Sequence, residues 1–292
     1  MSEIKIGTVN FGGSYGIVNK IQLKKEEISK ILNFCLRKKI LNFDTSPSYG
    51  MAEKILGNFI KKNNARFFNI TTKTPIDLYK YNSPEKYILK VFDQSLKNLN
   101  IEKIETLLVH NVDDFLSIKN EPILKIFENL KKEGKVKKIG VSIYNDKQYY
   151  LIEQLFQPDV VQLPISLFDQ RTLKNGFLEK IKIKNCEIQA RSIFLQGILL
   201  ADEESIPQKF VEFRDGISKI KSLCIKKKIT KLEVVLGFLN SISLIDYKVV
   251  GINSLKQLEQ IFFLNNKTET IQSINFDSYA IKKTRFLDAR NW

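Results

Sequence analysis

Histidine is nearly missing from this chain: one residue, His110, in 292. Cysteine is scarce as well, and Cys35, Cys186 and Cys224 lie far apart in apolar settings. With no second imidazole and no thiol pair at ligand spacing, a zinc centre is not expected, nor is any other metal. An odd set of separated thiols predicts reduced side chains in a cytoplasmic protein rather than a disulfide framework. No apolar run approaches the roughly 20 residues that cross a bilayer, so no membrane partner is expected. The first residues, Met1-Ser2-Glu3-Ile4-Lys5, run straight into a strand-like segment without a secretory pattern. No stretch rich in Pro, Gly or Ser could serve as a linker. Residues 1–292, 43% hydrophobic, are therefore expected to form one domain around a full core.

Arginine is the other shortage. The formal net charge is +15, yet only seven of the 47 basic residues are Arg, and Lys is spread through nearly every helical segment. Nucleic-acid readers favour clustered Arg forks, so a nucleic-acid partner is not expected. The same positive field suits an anionic small molecule.

Short apolar runs alternate with helical periodicity along the whole chain. Strands are predicted near residues 4–9, 40–44, 67–73, 104–110, 137–142, 159–163, 187–191 and 247–251. Helices are predicted at 26–39, 84–99, 123–132, 146–156, 173–184, 207–228, 231–243 and 254–264, with a last one from about 275. Ser83-Pro84 starts the second of these, and Gly134 stops the third. Eight strands separated by helices match a (β/α)8 TIM barrel of the α/β class. A doubly wound sheet would want a Gly-x-Gly-x-x-Gly turn after the first strand. Phe11-Gly12-Gly13-Ser14-Tyr15-Gly16 lacks that spacing.

Three of these runs end in polar groups, at Asp44, Lys73 and His110, and Tyr49 follows Asp44 by five residues. Strand C-terminal ends are where barrels build their active sites, so this set reads as a proton-donor constellation. The segment from Asn42 to Gly57, with Asp44-Thr45-Ser46, Tyr49-Gly50, Glu53 and Leu56-Gly57, resembles the signature of the aldo-keto reductase superfamily. Met51 and Ala52 separate Gly50 from Glu53 where that signature has one residue. Lys73 and His110 follow in the family's order. Ile6-Gly7-Thr8, Gly140-Val141-Ser142 and Val160-Val161-Gln162 resemble its first, fifth and sixth strand motifs.

The resemblance implies an enzyme that reduces an aldehyde or ketone with a nicotinamide cofactor. Hydride addition leaves negative charge on oxygen, and Tyr49 would supply the proton. A phenol of pKa about 10 is a poor donor, and a neighbouring Lys73 ammonium, held by Asp44, is expected to lower it. His110 would orient the carbonyl.

The cofactor residues implied are Gly7, Thr8, Asp44, Ser142, Gln162, Arg191, Ser192, Leu195, Gly251, Asn253, Ser254, Lys256 and Gln257. Here the chain departs from the family. Ile143 stands where an Asn normally follows the serine, and Arg191 stands where an aromatic stacks on the nicotinamide. Gly251 and Gln257 replace the cations that hold the 2′-phosphate of NADPH. NADPH with only a modest preference is expected, and NADH is the alternative.

Substrate contacts are expected from Phe11, Tyr15, Tyr49, Tyr79, His110 and Asn111, with Phe115, Phe168 and Arg171 as further wall. So polar a wall suits a keto-sugar or another hydroxylated carbonyl. Ser192-Ile193-Phe194-Leu195-Gln196-Gly197 resembles bacterial members tied to sugar and surface-polysaccharide metabolism. A cofactor-binding regulatory barrel with little turnover keeps the fold as a second reading, and a basic nucleic-acid-associated barrel is a third.

Overall fold

Eight strands pair in parallel in chain order, and the last pairs back onto the first to close a barrel. The computed structural model describes residues 2–18, 22–265 and 274–292. In chain order the elements are β1 (Glu3–Gly7), α1 (Val9–Gly12), α2 (Lys25–Lys38), β2 (Asn42–Asp44), α3 (Ala52–Asn63), β3 (Asn69–Lys73) and α4 (Pro84–Leu99). Next come β4 (Ile104–Val109), α5 (Val112–Leu116), α6 (Glu121–Lys132), β5 (Val136–Ser142), α7 (Asp146–Glu153), β6 (Val160–Pro164) and α8 (Phe177–Ile183). The rest is β7 (Glu187–Arg191), α9 (Arg214–Lys227), α10 (Lys231–Asn240), β8 (Tyr247–Gly251) and α11 (Leu255–Asn265).

Period-two alternation sorts the strand residues into two sets. Ile6, Phe43, Ile70, Leu107, Val141, Val161, Ile188 and Val250 are buried in the hydrophobic core that the helices share with the barrel. Each such side chain contributes roughly 1.5–3 kcal/mol on leaving water. The alternate set is polar and meets inside the barrel. Lys5 of β1 donates to the Thr71 hydroxyl of β3 at 2.9 Å, and Gln162 of β6 donates to Asp44 of β2 at 2.7 Å. These strands are not neighbours, so the contacts must cross the lumen.

Helix ends follow local chemistry. Lys39, Asn64, Asn100 and Lys228 take left-handed backbone after α2, α3, α4 and α9, with φ of 56°, 50°, 54° and 54°. Gly134 does the same beyond α6 at +68°. Thr230 and Glu233 form a reciprocal capping box at the start of α10.

Several expected helices differ. The stretch 207–228 is a 3-10 segment at Gln208–Phe213 before α9 begins. The one expected at 173–184 begins at Phe177, because Asn175 and Gly176 adopt φ of 59° and 65°. No α-helix forms from 275 onward among the described residues; short 3-10 turns take its place. That tail is held by tertiary contacts, with the Trp292 ring 5.6 Å from Phe210 and Phe286 6.3 Å from Phe213. Helix α3 was not among the sequence expectations. Among the described residues no helix is long and apolar enough to cross a membrane, and no His, Cys, Asp and Glu cluster could hold a metal. The three cysteines are free; Cys35 and Cys186 are buried and Cys224 is half-buried.

Candidate active site

The C-terminal ends of the strands open into a cavity of about 380 Å³. At its floor, Asp44 ends β2 and Lys73 ends β3, adjacent strands in register. The Lys73 ammonium donates to Asp44 Oδ1 at 2.6 Å and to the Thr45 carbonyl at 2.9 Å, and both side chains are buried. The other carboxylate oxygen, Oδ2, accepts from Gln162 at 2.7 Å. Asp44 is thus fixed from two directions.

Tyr49 sits on the loop after β2, with the Lys73 ammonium 4.9 Å from its ring centroid. That loop is locked against the first strand's loop. A Cβ on Gly12 would meet the Tyr49 carbonyl at 1.6 Å, and Gly50, at φ +56°, lies against the Gly12 carbonyl. Burial pushes the Tyr49 phenol above its ordinary value, and the pull of Lys73 in the other direction does not overcome it. The expected lowering is therefore reversed: desolvation outweighs the ammonium. Burial also acts to lower Lys73, but Asp44 and Tyr49 outweigh it and hold the ammonium above its usual range.

His110 follows β4, its ring edge-on to Tyr49 with centroids 6.0 Å apart. Burial, followed by Lys73 and Arg191, depresses its pKa to about 3, so the imidazole is neutral at pH 7. The Ser46 hydroxyl lies 3.3 Å from His110 Nδ1 and already accepts from the Ser48 amide at 3.1 Å. When the Ser46 hydroxyl donates to Nδ1, the ring hydrogen stands on Nε2.

From this floor the cavity runs toward the start of α11. Gly7, Ser142, Gln162, Arg191, Ser192, Gly251, Asn253 and Gln257 line it, as does Tyr15. Several expected contacts fall elsewhere. Thr8 is buried and bonds back to the Asp44 carbonyl, and Leu195 is buried in the core. Ser254 caps α11 by accepting from the Gln257 amide at 3.1 Å, and neither it nor Lys256 lines the cavity. Phe11, Phe115 and Phe168 are packed into the core, where their apolar area is worth more than at a wet mouth. Tyr79 is exposed, 57% accessible, away from the cavity, and Asn111 caps α5. Arg171 is paired with Asp169 at 2.8 Å.

The structure also brings in residues the sequence reading passed over. Asn10, Tyr144, Gln196, Ala289 and Arg290 line the cavity, the last two from the C-terminal tail. Tyr144 was within reach, because it continues the alternation of β5 one step beyond Ser142. The tail carries no such signal. A further unread residue is Glu27 of α2, whose carboxylate accepts from the Leu255 amide at 2.7 Å. This is the helix start where the adenosine phosphate was expected.

The same cavity joins the catalytic floor to that helix start. Its length runs from the Asp44–Lys73 pair to Gln257, and Gly251 adds no side chain to the path, with nothing within 4 Å of a Cβ placed there. Together, the closed (β/α)8 barrel and the Asp-Tyr-Lys-His floor define the class. The chain belongs to the aldo/keto reductase family, whose sequence model matches residues 3–276. It is 29% identical over 196 residues to the uncharacterized oxidoreductase YcsN of Bacillus subtilis (strain 168), covering 62% of this chain and 65% of that protein. It is 24% identical over 223 residues to the L-glyceraldehyde 3-phosphate reductase of Escherichia coli (strain K12), covering 72% of this chain and 64% of the relative. The match thus spans just under two thirds of these relatives' length. The fold matches a crystal structure of a Pseudomonas aeruginosa protein described as an aldo-keto reductase. The TM-score is 0.65 at 18% identity, with 90% of this chain and 89% of that one covered.

Proposed function

We propose that the protein reduces an aldehyde or ketone, with Tyr49 as proton donor and a nicotinamide cofactor lying along the cavity. The observation that carries this is the buried Lys73–Asp44 pair directly beside Tyr49, facing a neutral His110. When bound, the reduced cofactor supplies the hydride that adds to the carbonyl carbon. The phenol of Tyr49, protonated at pH 7, gives its proton to the oxygen as negative charge develops there. The Lys73 ammonium stabilises the phenolate left behind, and Asp44 keeps that ammonium in place. The Nε2 hydrogen of His110 polarises the same oxygen without adding a charge. Gly7, Gly251, Asn253 and Gln257 would hold the cofactor, with Ser142 and Gln162 toward its reactive end.

The expected lean toward NADPH is weakened by Glu27. A carboxylate on the Leu255 amide occupies the donor that a 2′-phosphate would use and repels that phosphate. NADH is therefore the favoured form. Asn10, Tyr15, Ser142, Tyr144 and Gln196 make the wall polar, which supports a small hydroxylated, sugar-like carbonyl. The E. coli relative is named for such a substrate. Free thiols fit a reducing compartment such as the cytoplasm.

Fluorescence titration with NADH and NADPH, followed by a panel of aldoses, ketoses and simple aldehydes, tests the reading. Cofactor oxidation with at least one carbonyl, abolished in Tyr49→Phe, is expected. Binding of neither cofactor, or turnover that survives the substitution, would overturn it.

A further inference from the structure

We propose that Arg191 forms an anion subsite at the cavity mouth and selects carbonyl substrates carrying an oxyanion, either carboxylate or phosphate. The charges around the tetrad are otherwise balanced. Lys73 is met by Asp44, Arg290 by Asp288 and Asp113, and Arg171 by Asp169. Arg191 lines the same cavity, and among the described residues no carboxylate lies within 4.0 Å of its guanidinium.

Its hydrogen bonding is also incomplete. One terminal nitrogen donates to the Ile143 carbonyl at 3.0 Å, and the other reaches the Ser192 hydroxyl at 3.3 Å. Nε is enclosed with no acceptor. Of the five N–H donors a guanidinium carries, two are used. An unpaired, half-buried cation is costly, and it persists where a ligand completes it.

The surroundings set the geometry. The guanidinium carbon of Arg191 lies 4.3 Å from the Tyr144 ring centroid, and that of Arg290 lies 4.1 Å from the same centroid. One ring therefore braces both cations and limits the freedom of the Arg191 fork, which favours bidentate capture of an oxyanion. Its charge reaches the chemistry too, since it contributes to the shifts of His110, Tyr49 and Tyr15. An oxyanion on Arg191 would place the rest of a short substrate against Tyr49 and His110. The substrate class rests on the reductase reading; the anion site itself does not.

The experiment has two arms. In the first, kcat/KM is measured for succinic semialdehyde against butanal, and for glyceraldehyde 3-phosphate against glyceraldehyde, in wild type and Arg191→Gln. Wild type is expected to favour the charged member of at least one pair by about 10- to 150-fold, mainly through KM. Arg191→Gln should bring that ratio close to one. The pair that responds tells carboxylate from phosphate. In the second arm, malonate and inorganic phosphate are titrated calorimetrically into the cofactor-loaded protein, and malonate is tested as a competitor of butanal reduction. This arm is run on wild type and on Arg191→Lys as well, so it holds even if Arg191→Gln fails to fold. Anion binding that depends on Arg191 without any carbonyl turnover would leave the subsite standing and sink the reductase reading. Turnover of neutral substrates with no anion preference and no anion binding would do the reverse. An Arg191→Gln effect on cofactor affinity alone, with the substrate ratio unchanged, would also overturn the subsite and make Arg191 a cofactor contact.

Discussion

His110 carries its meaning in a charge it does not have. An unfolded histidine takes a proton near pH 6.5, whereas the folded one holds off until about 3. Between those values the unfolded chain binds the extra proton, so stability falls as pH drops through that window and is fully present above it. The cost is at most about 1.4 kcal/mol per pH unit. Denaturant midpoints at pH 7.5 and 5 should therefore separate more in wild type than in His110→Gln, and equal separations would contradict the shift. Tyr49, held above the ordinary tyrosine range, should keep its proton through alkaline pH. The kcat/KM for reduction is expected to stay level to at least about pH 10, since that ratio reports the free protein. Tyr49→Phe should lower kcat by about two orders of magnitude or more while cofactor affinity stays within a few-fold. A variant keeping a tenth of the activity would sink that role. Asp44, Lys73 and His110 were legible because strand ends announce themselves in sequence, and Tyr49 because it follows Asp44 within the signature. Ser46, whose hydroxyl meets the His110 ring, and Glu27, which reaches α11 from α2, were not: their partners lie far away in the chain and are chosen only by folding.

At the level of elements, strands read better than helices. The barrel strands are near-continuous apolar runs, and their predicted bounds fall within two residues of the observed ones for β1 to β8. Helix α3 was hidden because its start, Ala52 and Glu53, belongs to the signature that drew attention for another reason. The tail resisted reading because aromatic packing on Phe210 and Phe213, not periodicity, holds it. The contact between α1 and the Tyr49 loop makes a sharp test. Gly12→Ala forces a Cβ into the Tyr49 carbonyl, whereas Gly13→Ala meets nothing within 4 Å. The first should displace the loop and cost tenfold or more in kcat, since a shift of about 1 Å can cost about a hundredfold. The second should leave turnover near wild type. Equal effects would mean the loops are not coupled. Glu27→Gln keeps the acceptor and removes the charge, so the NADPH/NADH affinity ratio should rise about threefold to tenfold. An unchanged ratio would place the ribose end elsewhere.

For the whole molecule, the number and spacing of strands sufficed for the fold class, while the polar filling of the lumen did not show in composition. Lys5, Thr71, Gln162 and Gln189 lie inside a closed sheet and count in the sequence as ordinary polar residues. Closure itself ties the first strand of the barrel to the last. Glu3 pairs with Tyr247 and Gly7 with Gly251, so β1 has no partner on one side until β8 leaves the ribosome. At about 5–20 residues per second, that wait lasts from roughly ten seconds to a minute. An unpaired strand edge invites sticking to other chains, and an inward-pointing charge discourages it. The lysine at position 5 is an inward charge of that kind, carried on the strand that waits longest for its second neighbour.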